Sequence, residues 1–540
     1  MKNNIINPKS LIQIHYHNRT SGVLRVIDEY ASTFQRISES SITKNFLICN
    51  NVQKIRSSNI KEIISIPDCD YHKFLSKKSV TNKYEKIFQK INCFLTGHSV
   101  QRPLCIVGHN LSLGKNIALS IAFSLLASKH KKAGDINFFS VIHDLAEEGR
   151  LNILHNLLKI ESLGISIWKY LYPQTNVHFI VLNKRNYTLF KNAGYSVFFL
   201  PNPLNISDKM NKSAKLGKNK IISIQNALSA VSKIDRTNFD KKKKTYFYPV
   251  RVISRKNVLE AVIMACLICK GNLIVGGYGT SRKDIRLFNE IIQHARQNNL
   301  PVILNVERIK NHVNSNFFED NTVFEYLYKF SNFCITTSLV EGFGYALYEP
   351  WIYGKNVIGR LPQGVGCSEI IDLTHLYDRL DIPISWISLG KIGNKYYFQL
   401  KRFFSGDSKF LNPEHFKNFF KKSYLYNNFF DFGALTLKMQ FSLLNKLCLT
   451  GDRLKMKVTI KNRVYDISKF KNLQKNISDT PLLSKNRKII KNLLGEKIFD
   501  REFKRCFFSN YSFTDISAEY NRSLLKYFLN PNNYKIIMTI

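Results

Sequence analysis

The chain has 540 residues, 44% of them hydrophobic, which is long enough for two large domains with substantial cores. Lys and Arg total 80 against 39 Asp and Glu, a formal net charge of +41, yet the basic residues run through the whole sequence instead of gathering in one stripe. That spread argues against a dedicated nucleic-acid face, and no apolar run reaches the ~20 residues of a membrane span.

Residues 11–17 read as a first strand, and Thr20-Ser21-Gly22 then enters a helix. Asp68-Cys69-Asp70 follows Pro67 and precedes a polar, helix-like stretch, so it reads as a turn. Residues 104–110 and 138–145 are two more strands, with His109 and His143 at their polar ends. Ligands gather at such strand ends in parallel α/β domains. Residues 177–183 and 197–204 continue the pattern. The segment 205–244 is polar and Lys-rich and reads as a linker with local decoration.

Residues 246–257 read as a strand running into a basic loop that holds Arg251, Arg255 and Lys256, with a helix from about Val258. Fixed cations in a water-poor site stabilise a leaving group that gains negative charge. Residues 274–279 read as the next strand, with a glycine-rich end. Ten cysteines are scattered singly. Cys266 and Cys269 have a C-x-x-C spacing but lie in the helical run 262–270 without a second pair, so buried reduced thiols are expected.

The most informative stretch is Ser338-Leu339-Val340-Glu341-Gly342-Phe343-Gly344-Tyr345-Ala346-Leu347-Tyr348-Glu349-Pro350. A buried strand at 333–337 precedes it, and residues 345–353 read as a helix ended by Gly354. A glycine-bearing loop at a helix N-terminus offers N–H groups and a positive dipole end to an anion. Glu341 stands at the loop entrance. Glu349 lies further along the helix, roughly ~12 Å away at ~1.5 Å per residue. One carboxylate can meet one end of a ligand while the other meets the far end. Residues 368–475 are aromatic and Lys-rich without a motif tied to chemistry; an insertion or a helical subdomain would fit them. Residues 486–492 fit a late helix.

The stretch around Glu341 and Glu349 resembles the Glu-x7-Glu signature of retaining glycosyltransferases with the GT-B fold, most closely glycosyltransferase family 4. Arg251 and Lys256, with four residues between them, match a cationic pair of that family in the expected order. The resemblance implies two Rossmann-like, doubly wound α/β domains facing each other, with an extended C-terminal part. It divides the chain into an acceptor-side domain at 1–204, the linker at 205–244, and a nucleotide-sugar-binding domain at 245–500 with an insertion over about 370–475. An extension at 501–540 could cross back onto the first domain. It also implies transfer of a hexose from a nucleotide-sugar donor, with retention, to a glycan or lipid-linked saccharide acceptor.

By the same resemblance, Glu341 faces the donor sugar and His143 touches it, with His109 as the second choice. Arg251 and Lys256 face the diphosphate. The main chain of Gly342, Phe343 and Gly344 approaches sugar and phosphates, as does Gly22 of the first domain, and Glu349 holds the ribose. No cofactor and no metal are expected, because Arg251 and Lys256 take the place of a cation. Asp68 and Asp70 have the Asp-x-Asp form of metal-dependent transferases of another fold, but as a turn upstream of the stronger motifs. Other uses of the fold, a sugar-nucleotide epimerase or a phosphorylase, stay open. So does a basic membrane- or nucleic-acid-binding protein with a dead cleft, against which Glu341, Glu349, Arg251 and Lys256 argue. Nucleic acid is not an expected partner. The charge has a compositional explanation in Lys-, Asn- and Ile-rich sequence, with attraction to anionic membranes, on the order of 1 kcal/mol per basic residue, as a contributor. Residues 1–8 lack the apolar core of a signal peptide. The expectation is a cytoplasmic protein, with peripheral contact at the inner face of the membrane left open by the charge.

Overall fold

A computed structural model describes residues 7–528 except 20, 39–42, 52–58, 98, 149, 205–215, 280, 314–316, 318–322, 366–370, 374–375, 402–411, 469–480, 510–523 and 525–526. The chain forms two compact units, Met1–Asn205 with Leu494–Lys535 and Ile206–Leu493 with Ile536–Ile540.

The first unit is built on seven strands: β1 (Ser10–His17), β2 (Lys44–Asn50), β3 (Glu62–Ser65), β4 (Leu104–His109), β5 (Ile136–Ile142), β6 (His178–Val181) and β7 (Val197–Phe199). Their order is β3-β2-β1-β4-β5-β6-β7, and every pairing is parallel. All eight residues of β1 are buried, as expected for a strand covered on both faces by helices. The helix Gly22–Ile37 buries Val26, Ile27, Tyr30, Ala31, Thr33 and Phe34, one face of a 3.6-residue repeat. Its start is fixed by Ser21, whose hydroxyl oxygen accepts a hydrogen bond from Leu24 N–H at 3.1 Å. The helix Glu496–Phe507 returns to this unit. It sets Phe499, Phe503 and Phe507 around Tyr30, with ring centroids 5.7, 5.2 and 5.8 Å away. Arg36 holds the same helix through Asp500, at 2.5 and 2.9 Å. Most of the segment 501–540 expected as an extension lies outside the described residues, as does the start of the linker.

The second unit carries β8 (Thr245–Val252), β9 (Asn272–Tyr278), β10 (Val302–Leu304), β11 (Phe333–Thr336) and β12 (Val357–Gly359). The order β10-β9-β8-β11-β12 is again wholly parallel. Both sheets therefore show the doubly wound α/β class read from the sequence. A third sheet falls in the motif-free region. Its strands are β13 (Arg379–Pro383), β14 (Leu425–Tyr426), β15 (Phe429–Asp431), β16 (Lys457–Ile460) and β17 (Arg463–Asp466), all paired antiparallel. Among the described residues no helix is long and apolar enough to cross a membrane.

One buried guanidinium joins this antiparallel sheet to the parallel one. Arg360, just after β12, donates to Glu260 at 2.9 and 2.8 Å and to Asp431 of β15 at 3.0 and 2.6 Å. Tyr377 Oη donates to Glu260 at 2.8 Å, and Asn257 Nδ2 does so at 2.6 Å. Every oxygen of the two acids thus has a donor, which is what lets three charges lie in the interior.

Candidate active site

Strand order decides where a ligand can sit. In the second unit the chain leaves β8 toward β9 on one side, while β11 lies on the other. The crevice between diverging connections therefore opens beyond the carboxyl ends of β8 and β11. The loop after β8 holds Ser254, Arg255, Lys256 and Asn257, and the loop after β11 holds residues 337–344. Backbone and hydroxyl bonds stitch the two loops together. Tyr248 Oη donates to Lys256 O at 2.9 Å and lies 2.7 Å from Ser338 Oγ. Thr337 Oγ1 donates to Asn257 O at 3.0 Å, and Leu339 N–H donates to Arg255 O at 2.9 Å.

This framework brings Glu341 and Lys256 into direct contact. Lys256 Nζ pairs with Glu341 Oε1, and Arg255 Nη1 donates to Glu341 Oε2 at 3.0 Å and to Val340 O at 3.0 Å. Glu341 is buried. Burial opposes its ionisation, but the Lys256 and Arg255 cations outweigh that and hold its carboxyl down at about 2. The site therefore presents an ionised carboxylate flanked by two cations. Arg251 lies near the end of β8, exposed and in register with Gly277. The side chain that joins Lys256 on Glu341 is thus Arg255. The family spacing points to Arg251 and the sequence offers Arg255 as an extra cation of the same loop; the fold of the loop sets Arg255 on Glu341.

Gly344 has φ of 93°, a left-handed conformation that an L side chain rarely adopts, and it opens the helix Tyr345–Ile352. Phe343 is buried against Tyr345 and Tyr348, with ring centroids 5.0 and 5.2 Å away, so its side chain belongs to the core. Gly342 is half-buried beside it. Glu349 accepts from Tyr328 Oη at 3.1 Å, and Tyr328 in turn stacks on Tyr353 at 4.6 Å. That partner fixes the carboxylate on the helix face. Gly354, with φ of 68°, follows the end of the helix.

In the first unit the switch point lies between β1 and β4. Gly22 is the first residue of its helix, and a Cβ there would meet no atom within 4 Å. The protein's own packing does not require glycine at that place. His109 ends β4, His143 directly follows the neighbouring β5, and the two lie within hydrogen-bonding distance, His109 Nδ1 to His143 Nε2 at 3.2 Å. Asp68-Cys69-Asp70 is a turn with a 3-10 helix over Pro67–Cys69. Asp70 is held by Arg19 at 3.1 and 2.5 Å and by Asn50 at 3.0 Å. Among the described residues no group of three or more His, Cys, Asp or Glu could hold a metal ion.

Glu147, four residues after His143, was not read from the sequence. It is buried, and Tyr172 Oη donates to its Oε1 at 2.8 Å. Burial pushes its carboxyl up to about 7. Below about pH 4 the group is protonated in both folded and unfolded chains. As pH rises from the unfolded value of about 4.3 toward 7, the unfolded chain releases the proton first, so stability falls, by about 4 kcal/mol in all. Glu147→Gln removes that ionisation. The variant should gain stability over the parent between pH 4.5 and pH 8, read from urea midpoints at the two pH values. A difference between variant and parent that does not change with pH would show that Glu147 ionises normally.

No family model matches the chain. It is 24% identical over 450 residues to the mannosylglucosyl-3-phosphoglycerate synthase of Petrotoga mobilis, a match covering 82% of this chain and 81% of that protein. Among solved structures it is similar to Anabaena HepE in complex with UDP-glucose, with TM-score 0.49 and 9% identity over 92% of this chain and 98% of that one. It is also similar to the sucrose-phosphate synthase of Thermosynechococcus elongatus, with TM-score 0.47 and 9% identity over 92% and 98%. The resemblance to glycosyltransferases read from the sequence is thus met again, at the level of the whole chain, in a curated glycosyltransferase matched over four fifths of it.

Proposed function

We propose that the protein is a retaining glycosyltransferase of the GT-B type that moves a hexose from a nucleotide-sugar to a saccharide or lipid-linked saccharide acceptor. The observation that carries this reading is the ionised Glu341 gripped by Lys256 and Arg255 at the mouth of β8 and β11. In the reaction the bond from the anomeric carbon to the diphosphate breaks, and its electron pair leaves on the phosphate oxygen. A bond to the acceptor oxygen forms on the same face, and the departing diphosphate is a base for the acceptor's proton. Lys256 and Arg251 meet the charge on the diphosphate, Glu341 faces the sugar, and Glu349 holds the ribose. The cations do the work of a divalent metal, so none is required. The name of the Petrotoga relative describes a saccharide on 3-phosphoglycerate, which makes small anionic saccharides a second acceptor class to test.

The test is a panel of nucleotide-sugars, scored for released nucleoside diphosphate with and without EDTA, with product anomers assigned by NMR. The reading expects one donor to react, EDTA to leave the rate unchanged, and the donor's anomeric configuration to persist. Inversion would remove the retaining assignment, and failure to bind any nucleoside diphosphate would favour a binding protein.

Glu349→Gln isolates the ribose contact, which is the same in ground and transition states. It should raise the donor KM about tenfold with kcat little changed. A fall in kcat at unchanged KM would take Glu349 off the ribose.

A further inference from the structure

Gln13, His109 and His143 form a chain of hydrogen bonds whose direction can be derived from one end. Gln13, buried on β1, has Nε2 at 2.8 Å from Ile27 O of the helix Gly22–Ile37. A carbonyl only accepts, so the amide nitrogen must face it, and Gln13 Oε1 faces the other way. There it lies 2.8 Å from His109 Nε2. An amide oxygen also only accepts, so His109 Nε2 carries a proton. His109 is fully buried, and burial, with His143 and His15 beside it, keeps it neutral. A neutral imidazole has one N–H, so His109 Nδ1 is a bare acceptor. At 3.2 Å from it, His143 Nε2 must be the donor. Burial holds His143 neutral as well, at about 4, which leaves its Nδ1 without a proton. His15 steadies the arrangement by donating from Nδ1 to His109 O at 2.9 Å.

We infer that Gln13 and His109 are positioning residues that fix the proton of His143 on Nε2, so that Nδ1 accepts a hydrogen bond from a hydroxyl of the bound sugar. The sugar half of this statement rests on the transferase reading, whereas the proton chain does not. Replacing Gln13 by an apolar side chain removes the acceptor for His109 Nε2–H. The proton of His109 then gains more on Nδ1, where His143 Nε2 can accept it. The proton of His143 moves in turn to Nδ1.

The experiment is long-range 15N–1H correlation on the full chain labelled at histidine, with peaks assigned by His109→Asn and His143→Asn. The parent should show both rings as Nε2–H at neutral pH. Gln13→Leu, and Gln13→Met should the first not fold, should convert both to Nδ1–H. Finding either ring as Nδ1–H in the parent, or no conversion in the variant that folds, overturns the relay. The donor KM is measured on the same variant and should rise roughly fivefold, the size of one lost hydrogen bond. Conversion with unchanged KM overturns the hydroxyl contact. Absence of sugar transfer by the parent, with conversion seen, counts against the transferase reading alone.

Discussion

Arg360→Met should destabilise the second unit by about 3–5 kcal/mol, the cost of stripping the partner from a buried charge. Two acids lose their only common cation. Glu260 keeps Tyr377 and Asn257 as donors, and Asp431 keeps Gly433 N–H at 3.0 Å, but neither keeps a countercharge from Arg360. Against a typical total of about 5–15 kcal/mol this is a large fraction. The triple variant Arg360→Met, Glu260→Gln, Asp431→Asn should recover part of the loss, because neutral amides no longer ask for a cation. Chemical denaturation followed by tryptophan fluorescence gives both values. A loss below about 1 kcal/mol for Arg360→Met would mean that water or a rearranged cation already compensates the acids. The damage should also reach the loop after β8. Asn257, next to Lys256, is held by Glu260 and by Gln440, whose Nε2 donates to its Oδ1 at 3.1 Å and to Phe432 O at 3.1 Å.

That cluster shows what one sequence reveals and what it hides. β1, β5 and β11 are legible because strands covered on both faces are predominantly apolar, and their ends are marked by polar residues. β3, β10 and β12 have three or four residues each, too few for any period to register. The antiparallel sheet is hidden for the same reason, with strands of two to five residues among aromatics and lysines. Glu341 and Glu349 are legible because both belong to one loop and one helix, so their spacing is local. Arg255 is legible only as an extra cation beside Lys256: that both of them reach Glu341, 85 positions or more away, depends on the turn after β8 and the loop after β11. Glu260 and Arg360 are a hundred positions apart in sequence, and nothing near either residue points to the other. Gln13 is similar, a polar residue inside a buried strand whose partners Ile27 and His109 come from a helix and a neighbouring strand.

Lys256→Ala should lower turnover about 100- to 1,000-fold, the usual cost of removing one donor to a developing oxyanion. Lys256 is the sharper probe of the cationic pair, because its Nζ is already at the site through Glu341, whereas Arg251 is exposed at the end of β8. Loss of Lys256 also takes one of two cations from Glu341, so Glu341→Gln is the necessary companion. Glu341→Gln should slow kcat by a comparable factor while nucleoside diphosphate still binds, if the carboxylate has its proposed place at the sugar and not at the leaving group. Lys256→Ala should weaken diphosphate binding as well as kcat, because in the proposed role the cation meets the phosphates in both states. Calorimetry with nucleoside diphosphate beside steady-state kinetics separates the two variants. Lys256→Arg should not restore the rate, since a planar fork cannot take the place of a compact ammonium between Glu341 and a phosphate. Turnover of Lys256→Ala within about threefold of the parent would remove Lys256 from the chemistry. Its contact with Glu341 would then be an internal ion pair that holds the loops after β8 and β11 together.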